Sequence, residues 1–351
     1  MLSKPFPRSV TKRRRCSLAN HASGWWVGAD GSGQLTSHFR EDISPSEWGE
    51  GSLTIEVHYS ALNYKDALAL EGRPGVIRKP PIIPGIDIAG VVQDSKDPHI
   101  EPGTSVVITG FGYGENRHGG LATVVTADAR HVVMVPETLT LKQAAALGTA
   151  GITAGLALSA ITRHGLSPSQ GAPLAVTGAA GGVGSFAIAL ARHAGFAVTA
   201  ITGRTDESSY LTSLGATEVL SRQEFLTASQ RPLLPERFAG AIDQAGGEML
   251  STLLASTRAE GVVAACGLAG GSDLPTTVLP FILRGITLVG INSVYQPLQV
   301  RQELWDSFAA LSSSLPFGDI VHEIGLTDAL EVAPDVLAGL TRGRVVVRVK
   351  D

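Results

Sequence analysis

The sequence predicts an α/β protein of two domains, one of which contains a doubly wound parallel sheet. Its length of 351 residues exceeds that of one ordinary domain. Apolar residues make up 44% of the chain and charged residues 17%, with 41 glycines, which is typical of a folded α/β protein with many tight turns. In the second half, apolar runs alternate with helical stretches at the spacing of strand–helix units, which indicates a parallel sheet there.

The N-terminal segment differs from the rest of the chain in charge. Residues 1–21 contribute +6 to a formal net charge of −4, so the remainder carries −10. An acidic body argues against a nucleic-acid-binding surface on the folded part. We interpret residues 1–20 as a disordered basic tail, with an organelle-targeting segment or a nucleic-acid contact as the alternative. The basic residues of this segment are Lys4, Arg8, Lys12, Arg13, Arg14 and Arg15.

The chain has two cysteines, Cys16 and Cys266. This number excludes a disulfide framework and a four-cysteine zinc site, so we expect a cytoplasmic protein. Cys266 ends an apolar strand and has no obvious histidine partner in the sequence. That position favours a buried structural thiol over a catalytic nucleophile.

The first domain begins with strand patterns. Trp25–Val27 and Leu35–Phe39 flank a Gly/Ser/Asp turn, which predicts a hairpin, and Leu53–Ser60 alternates apolar and polar residues. Together they predict a half-buried antiparallel sheet or barrel. Leu62–Gly72 predicts a short helix with Asp66 in its first turn.

A proline-rich stretch, Pro80–Val92, leads into another strand, and the segment from Gly103 to Gly120 predicts a strand followed by a glycine-rich loop. Such a loop either moves or lies against a ligand, and Glu115 and His118 on it are expected to be exposed. Leu121–Val135 predicts the strand region that closes this domain.

A helical region, Leu141–Ile161, connects the two domains. It overlaps a run of nineteen uncharged residues, Ala144–Thr162, a length that could be mistaken for a membrane span. Its glycines, alanines and threonines make it only weakly hydrophobic, so we predict a buried helix pair and no membrane segment.

A glycine turn organises the second domain. Leu174–Val176 is a short apolar run, and Thr177–Ala191 continues it with glycines and then small apolar residues at helical spacing. This order of strand, turn and helix predicts a pyrophosphate site at a helix N-terminus, although Ala180 replaces the middle glycine of the strict pattern. Four later strand patterns identify the turn as part of a Rossmann sheet: Ala197–Ile201, Ala239–Ile242, Gly261–Ala265 and Ile286–Ile291.

The chain end predicts a helix near Asp328–Leu340 and a strand at Arg344–Val349 that returns to the first domain.

The choice of cofactor is indicated by Thr202-Gly203-Arg204. These residues follow the second Rossmann strand, where an NAD site would place an acid. A guanidinium suits a 2′-phosphate, so we predict NADPH. The alternative is that Arg204 is solvated and Asp206 binds the ribose.

Five motifs in order resemble the medium-chain dehydrogenase/reductase family, in particular the acryloyl-CoA reductase subfamily of its zinc-independent quinone oxidoreductase branch. The resemblance implies a GroES-like, barrel-type catalytic domain at 21–146 and 293–351 and a Rossmann NADPH-binding domain at 147–292. The motifs are Leu62–Asp66, Ile83–Gly90, Thr177–Ser185, Cys266–Gly271 and Leu274–Gly285.

Zinc-dependent members of that family use cysteine, histidine and glutamate ligands in the first domain. Here Ile86-Asp87 replaces the usual His-Glu pair and Tyr64–Asp66 fills another ligand region, so no metal is expected. The resemblance then implies hydride transfer from NADPH to the β-carbon of an activated double bond, with conversion of acryloyl-CoA to propanoyl-CoA favoured. The alternatives are NADPH:quinone oxidoreduction and a non-catalytic, crystallin-like NADPH-binding protein.

The expected catalytic residues are Tyr64, Asn63 and Asp66. Tyr64 could contact the nicotinamide ribose or supply a proton, and Asn63 could orient the ring or bind substrate. Tyr64 could instead pack at the domain junction, and Asp66 could simply cap its helix. The expected cofactor-binding residues are Tyr64, Ala180, Gly181, Gly182, Val183, Gly184, Thr202, Gly203, Arg204, Tyr210, Leu268, Ile282 and Ser293, where Tyr210 has packing as its alternative.

The expected partner is a small-molecule acceptor, either an enoyl-CoA or a quinone, with no nucleic acid and no membrane. A CoA phosphate needs cations, and the first domain has several that could equally be solvated. By analogy with zinc-independent family members, we expect a homodimer formed through Rossmann edge strands such as Ile286–Ile291. The cations are Lys65, Arg73, Arg78, Lys79 and Arg117.

Overall fold

The computed structural model describes residues 21–227 and 231–350. The predicted basic tail, residues 1–20, lies outside the described residues. Two large sheets and a separate two-stranded hairpin form the described part of the fold. A seven-stranded, largely antiparallel sheet belongs to an N-terminal lobe, and a six-stranded parallel sheet belongs to a Rossmann lobe. This mixed architecture confirms the predicted fold class.

The N-terminal lobe begins with the predicted hairpin, whose strands β1 and β2 pair antiparallel with Trp25 opposite Phe39. The alternation in β3 places Leu53, Ile55 and Val57 in the core, and β3 pairs with β4 and β6. The strands are β1 Ala22–Ala29, β2 Leu35–Ile43, β3 Leu53–Leu62, β4 Asp87–Ser95, β5 Ser105–Thr109, β6 Val124–Ala127 and β7 Val133–Met134.

Helix α1, Tyr64–Leu70, follows β3 directly. Its N-cap residue Asn63 has extended backbone, φ −106° and ψ 166°, and donates its backbone N–H to the Asp66 carboxylate at 2.9 Å. The helix ends before Gly72, whose φ is +65°. Residue Asn63 is thereby held at the edge of the lobe.

Helix α2, Leu141–Arg163, connects the two lobes and is broken by a kink at Gly148, with φ 38° and ψ −142°. A Cβ at Gly148 would lie 2.6 Å from the Asp87 carboxylate, so glycine is required here. By length and composition α2 could cross a membrane, but 83% of its most apolar window is buried inside the protein. The expected domain boundary at 146/147 falls at this kink; the boundaries themselves stay a prediction.

The Rossmann sheet has the strand order β10-β9-β8-β11-β12-β13, with parallel pairing throughout. The four predicted strands are present, whereas β10 was missed because its short sequence, Glu218–Ser221, forms a partly exposed edge. The strands are β8 Leu174–Val176, β9 Val198–Thr202, β10 Glu218–Ser221, β11 Phe238–Asp243, β12 Thr257–Ala265 and β13 Thr287–Gly290. The helices are α3 Gly182–His193, α4 Ser208–Ser213, α5 Arg222–Thr227, α6 Gly247–Ser256 and α7 Leu279–Arg284.

The C-terminal part returns to the first sheet, as predicted. Strand β15 pairs antiparallel with β3 and lies beside a parallel strand β14 that the sequence did not predict. The elements are α8 Leu298–Ala310, α9 Phe317–Ile320, β14 Val321–Gly325, α10 Ala329–Leu337 and β15 Arg344–Arg348. This return places Arg344 between the lobes.

Candidate active site

A cleft of about 930 Å³ runs between the two lobes. Its walls are the glycine turn, the start of α1, the ends of β9 and β11, and the segment from Val336 to Val345. The cleft therefore brings together two regions that the sequence analysis singled out separately, the Thr177–Ser185 turn and the Asn63–Tyr64 pair.

The glycine turn forms the floor of the cleft. Helix α3 begins at Gly182, and its N-cap Gly181 offers no side-chain cap, so the first-turn N–H groups are available to an anion. A Cβ at Gly184 would lie 2.5 Å from the Gly178 carbonyl oxygen, so only glycine permits this close packing. These features fit a dinucleotide pyrophosphate.

A buried acid braces the turn from the neighbouring strand. The Thr177 hydroxyl donates to Asp243 Oδ1 at 2.7 Å, and the Gly246 N–H donates to Asp243 Oδ2 at 2.8 Å. Burial raises the pKa of Asp243. The Gln244 side chain donates to the Thr177 carbonyl at 2.8 Å, so β8 and β11 are tied together where the cofactor would lie.

Two arginines stand at one end of the cleft. Arg204 donates to the carbonyl oxygens of Leu340, Ala180 and Thr341 at 2.9, 3.1 and 3.0 Å. Arg222 is exposed, and its side chain makes no ion pair or hydrogen bond with the part of the chain that the structure describes. This end of the cleft is cationic.

Sequence reasoning missed Arg222 because it missed β10. In the sheet, Ser221 of β10 is opposite Thr202 of β9, so the next residue of each strand, Arg222 and Gly203, are level. A Cβ at Gly203 would lie 3.2 Å from the Arg222 guanidinium carbon. The signal was therefore present in the sequence as a basic residue after an unrecognised parallel edge strand.

At the other end of the cleft, Tyr64 is 52% exposed and its hydroxyl has no hydrogen bond to any described residue. Asn63 also lines the cleft but is fully engaged on its inner side. Its Nδ2 donates to Asp66 Oδ2 at 3.0 Å and to Asp87 Oδ2 at 2.8 Å, while its Oδ1 accepts from Arg344 Nη1 at 2.8 Å.

We call this group, made of Asn63, Asp66, Asp87, Thr149 and Arg344, the buried polar cluster. Arg344 pairs with Asp87 at 2.9 Å, and Thr149 donates to Asp87 Oδ1 through its N–H at 2.8 Å and its hydroxyl at 2.6 Å. Asp87 is 0% exposed and Arg344 3% exposed. The ion pair thus joins β4, β15 and the α2 kink, and sequence reasoning gave no sign of Arg344.

Asp66 does not reach the cleft. It is 1% exposed, and its second oxygen accepts from the Ile86 N–H at 2.8 Å. Burial, together with the nearby Asp87 carboxylate, raises the pKa of Asp66 to about 6. The structure therefore places Asp66 behind Asn63, as a helix cap, and a direct role in catalysis stays a prediction without geometric support.

Five predicted cofactor residues do not line the cleft: Gly184, which is buried in the first turn of α3, and Tyr210, Leu268, Ile282 and Ser293. The Tyr210 hydroxyl is hydrogen-bonded to the Ser185 hydroxyl at 2.7 Å, and its ring is buried beneath Arg342. Leu268 and Ile282 are 66% and 68% exposed. Ser293 shares a hydrogen bond with Thr153 at 2.9 Å.

The glycine-rich loop corrects a second expectation. Glu115 is only 8% exposed and accepts from Lys65 Nζ at 2.7 Å, and His118 is half-buried, stacked on Trp26. The loop packs against the segment that precedes β4, where the Ile83 N–H donates to His118 Nδ1 at 3.0 Å, and burial lowers the pKa of His118. The expectation that both side chains are solvent-exposed was wrong.

Cys266 fits the predicted structural thiol. Its Sγ donates to the Asp243 carbonyl oxygen at 3.2 Å, and burial raises its pKa to about 12. A thiol with such a pKa is not a nucleophile at neutral pH. Within residues 21–227 and 231–350, no group of three or more His, Cys, Asp or Glu side chains is placed to hold a metal ion.

A glycine turn on a parallel sheet, facing a barrel-type lobe across a cleft with a cationic end, defines a two-lobed dinucleotide-binding oxidoreductase. Residues 49–137 match the alcohol dehydrogenase GroES-like domain, and residues 182–310 match the zinc-binding dehydrogenase family. The acrylyl-CoA reductase AcuI of Ruegeria pomeroyi is 44% identical over 309 residues, which cover 88% of this chain and 93% of that protein. The chain belongs to the medium-chain dehydrogenase/reductase family, within its acrylyl-CoA reductase subfamily.

Solved structures agree with this assignment. The yhdH oxidoreductase of Salmonella enterica, in complex with NADP, has a TM-score of 0.88 and 41% identity, covering 93% of this chain and all, 100%, of that chain. The putative quinone oxidoreductase YhfP of Bacillus subtilis is 38% identical over 87% of this chain and 93% of that protein. Its structure with NAD bound has a TM-score of 0.87 and 36% identity, covering 93% of this chain and 99% of that chain.

Proposed function

We propose that this protein uses NADPH to reduce the double bond of acryloyl-CoA, giving propanoyl-CoA. The observation that carries the proposal is the single cleft that joins the glycine turn and its two arginines to Asn63 and Tyr64. Its identity of 44% to an acrylyl-CoA reductase supports the choice of substrate. NADPH, when bound, supplies the hydride for the β-carbon, and one proton from solvent or a side chain completes the α-carbon.

Different residues of the cleft bind the cofactor and act on the substrate. The uncapped start of α3 binds the pyrophosphate, and Arg204 and Arg222 bind the 2′-phosphate through charge-assisted hydrogen bonds. Tyr64 has the free hydroxyl that the enolate oxygen needs, so it stabilises that oxygen or delivers the proton. Asp66 positions Asn63 from behind.

The mechanism requires no metal. At the position where zinc-dependent relatives carry a ligand pair, the Asp87 carboxylate is already saturated by Arg344, Thr149 and Asn63. Its oxygens are therefore unavailable as ligands without breaking a buried ion pair.

Cations near Tyr64 support a CoA thioester. Lys65 contacts Glu115, the Arg78 N–H donates to the Glu115 carbonyl at 2.8 Å, and the Arg117 carbonyl accepts from the Gly114 N–H at 2.7 Å. Arg78 and Arg117 are exposed, and neither side chain makes an ion pair or a hydrogen bond with a described residue. Three cations thus lie on segments that meet at or beside Glu115, whose carboxylate is paired with Lys65, in a body of net negative charge, and this suits the phosphates of CoA.

The test follows NADPH oxidation by the purified protein with acryloyl-CoA, with S-acryloyl-N-acetylcysteamine and with a quinone, each repeated with NADH. Turnover should be fastest with acryloyl-CoA and NADPH. Turnover of the quinone alone would overturn the thioester proposal, and NADPH binding without any turnover would favour a crystallin-like role.

A paired variant tests the cations. Arg78→Glu/Arg117→Glu should raise KM for acryloyl-CoA by roughly 5- to 10-fold and leave KM for the truncated thioester unchanged, because only CoA carries phosphates. Arg163→Glu, an exposed arginine on the far end of α2, serves as the matched control. An equal rise for both thioesters would remove the cations from CoA binding.

Quinone reduction is the second candidate. It is favoured by the 38% identity to a putative quinone oxidoreductase and by the exposed ring of Tyr64, against which a flat acceptor could stack. The quinone arm of the same assay measures it directly.

We also propose a homodimer formed through β13, the edge strand of the Rossmann sheet. Large apolar side chains are exposed next to this edge, and a solvated surface of that kind is unfavourable. Ile282→Glu/Leu283→Glu should give monomers by light scattering, whereas Met134→Glu, on the other sheet, should not. The exposed side chains are Val278, Ile282, Leu283, Tyr295 and Leu298.

A further inference from the structure

The amide of Asn63 has only one possible orientation. Its NH₂ group faces two carboxylates, Asp66 and Asp87, and its oxygen faces the Arg344 guanidinium. Exchanging the oxygen and nitrogen would place an acceptor against two acceptors and a donor against a donor. The surroundings therefore decide which atom is which.

This orientation uses up the donors of Asn63. Both amide hydrogens go to carboxylate oxygens, at 3.0 Å and 2.8 Å, and its backbone N–H goes to Asp66 at 2.9 Å. Oδ1 accepts one hydrogen bond from Arg344 and keeps one lone pair. Asn63 can therefore offer the cleft an acceptor and no donor.

An acceptor cannot stabilise an enolate or a thioester carbonyl oxygen, because both are themselves acceptors. It suits a hydroxyl or an amide N–H, and the nicotinamide nucleoside carries both, on its ribose and on its carboxamide. We propose that Asn63 accepts a hydrogen bond from one of these donors, and that Arg344 is the positioning residue that holds Asn63 in this orientation.

Arg344 is suited to this role because it touches both sides of the cleft. Its Nε donates to the Ala146 carbonyl at 3.0 Å, at the α2 kink. A Cβ at Gly182 would lie 2.6 Å from the Arg344 Cδ, so the same side chain packs under the start of α3. The position of Asn63 is thus set relative to the phosphate-binding turn.

The inference rests on NADPH being the cofactor and is independent of the acyl acceptor. The experiment measures the Kd of reduced cofactors by fluorescence, without substrate. The cofactors are NADPH, its acetylpyridine analogue, which lacks the carboxamide N–H, and an analogue lacking the 2′-hydroxyl of the nicotinamide ribose. Wild-type protein should bind one of the two analogues, the one that lacks the donor to Asn63, about 3- to 10-fold more weakly than it binds NADPH.

Asn63→Ala completes a double-mutant cycle. The variant should bind NADPH about 3- to 10-fold more weakly than the wild type does. The analogue that lacks the donor contacted by Asn63 should bind to the variant as tightly as NADPH does. The cycle therefore shows whether the carboxamide or the ribose hydroxyl donates the hydrogen bond to Asn63. Additive losses with both analogues, or an unchanged NADPH Kd with a raised KM for acryloyl-CoA, would overturn the proposal.

Arg344→Lys and Arg344→Met test the positioning role. Lysine keeps the charge opposite Asp87 but lacks the second guanidinium nitrogen, which in Arg344 donates to Asn63. The Kd for NADPH should therefore rise several-fold while the protein stays folded. Methionine should raise Kd further and lower the melting temperature. If Arg344→Lys loses only thermal stability and binds NADPH like the wild type, Arg344 is structural and the positioning role is wrong.

Discussion

At the Asn63 end of the cleft both buried carboxylates are already hydrogen-bonded, whereas at the opposite end the Arg222 guanidinium has no partner among the described residues. The charged side chains behind Asn63 at the first end are closed to water, with Asp66, Asp87 and Arg344 at most 3% exposed. The second is open, with Arg204 held by backbone carbonyls and Arg222 exposed beside it.

The difference follows from what each end must do. A buried charge is tolerated only with partners, so the Asn63 end is fixed before any ligand arrives and supplies orientation. An exposed guanidinium stays charged in water at little cost and gains its partner on binding, so the Arg222 end supplies affinity and cofactor choice. Substitutions at the two ends should therefore fail in different ways.

The largest effect is expected at the closed end, from Asp87→Ala. It leaves the Arg344 charge buried without a carboxylate, which should lower the free energy of unfolding by about 3–5 kcal/mol. Urea denaturation measures this change. Asp94→Ala, at the exposed end of the same strand, is the control, and equal losses for both variants would contradict the buried pair's role.

At the open end, Arg222→Ala should weaken NADPH binding by about 10- to 100-fold and leave NADH binding unchanged, because one charge-assisted hydrogen bond is lost. Arg204→Ala should show the same selectivity together with a lower melting temperature, since Arg204 also ties the Leu340–Thr341 backbone. Kd values from cofactor fluorescence test both. Arg163→Ala is the control. An equal loss of affinity for NADH would contradict the proposal that these arginines bind the 2′-phosphate.

The closed end should also respond to pH. Because the pKa of Asp66 is raised from 3.8 to about 6, the folded protein holds a proton between about pH 4 and pH 6 that the unfolded chain has released. Its contribution to the free energy of unfolding therefore decreases as pH rises through this window, by at most about 1.4 kcal/mol per unit, and levels off above pH 6.

Asp66→Asn removes the titrating group, so the difference between wild type and variant should change across pH 4–6 and be constant above it. Denaturant curves at each pH measure this difference. The exposed Asp94→Asn variant should run parallel to the wild type, and a parallel Asp66→Asn curve would show that Asp66 does not titrate there.

The smallest expected effect belongs to a residue outside both ends. With its pKa at about 12, Cys266 should resist a thiol reagent at pH 8 in the native protein. In a Cys16→Ser variant, no thiol should react before denaturation and one should react after it. Rapid labelling of the native variant would contradict the buried-thiol interpretation.

The same comparison explains what could be predicted from the sequence. The glycine turn and Arg204 follow local rules, since a strand, a glycine turn and a helix are contiguous and the next strand ends a fixed distance later. The return of β15 was predicted from its apolar run. Arg222 was missed because its edge strand is short and partly polar.

The buried polar cluster could not be predicted, because it joins residues that are far apart in the chain. The partners Asp87 and Arg344 are separated by 257 positions, and the local sequence around either residue gives no indication of the other. The expectation that Glu115 and His118 are exposed was wrong for the same reason. The burial of this loop depends on packing against Lys65 and Ile83 rather than on its own glycines.

The place of Arg344 in the chain has a consequence for synthesis. It lies on β15, the last strand that the structure describes, although its partner Asn63 is the N-cap of α1. A nascent chain leaves the ribosome from its N-terminus, so the Rossmann turn can form well before the cleft receives its second wall. Until Arg344 has emerged, the nascent chain therefore has the phosphate-binding turn without the fixed asparagine, and the site is completed by a strand that is synthesised after both of the regions it connects.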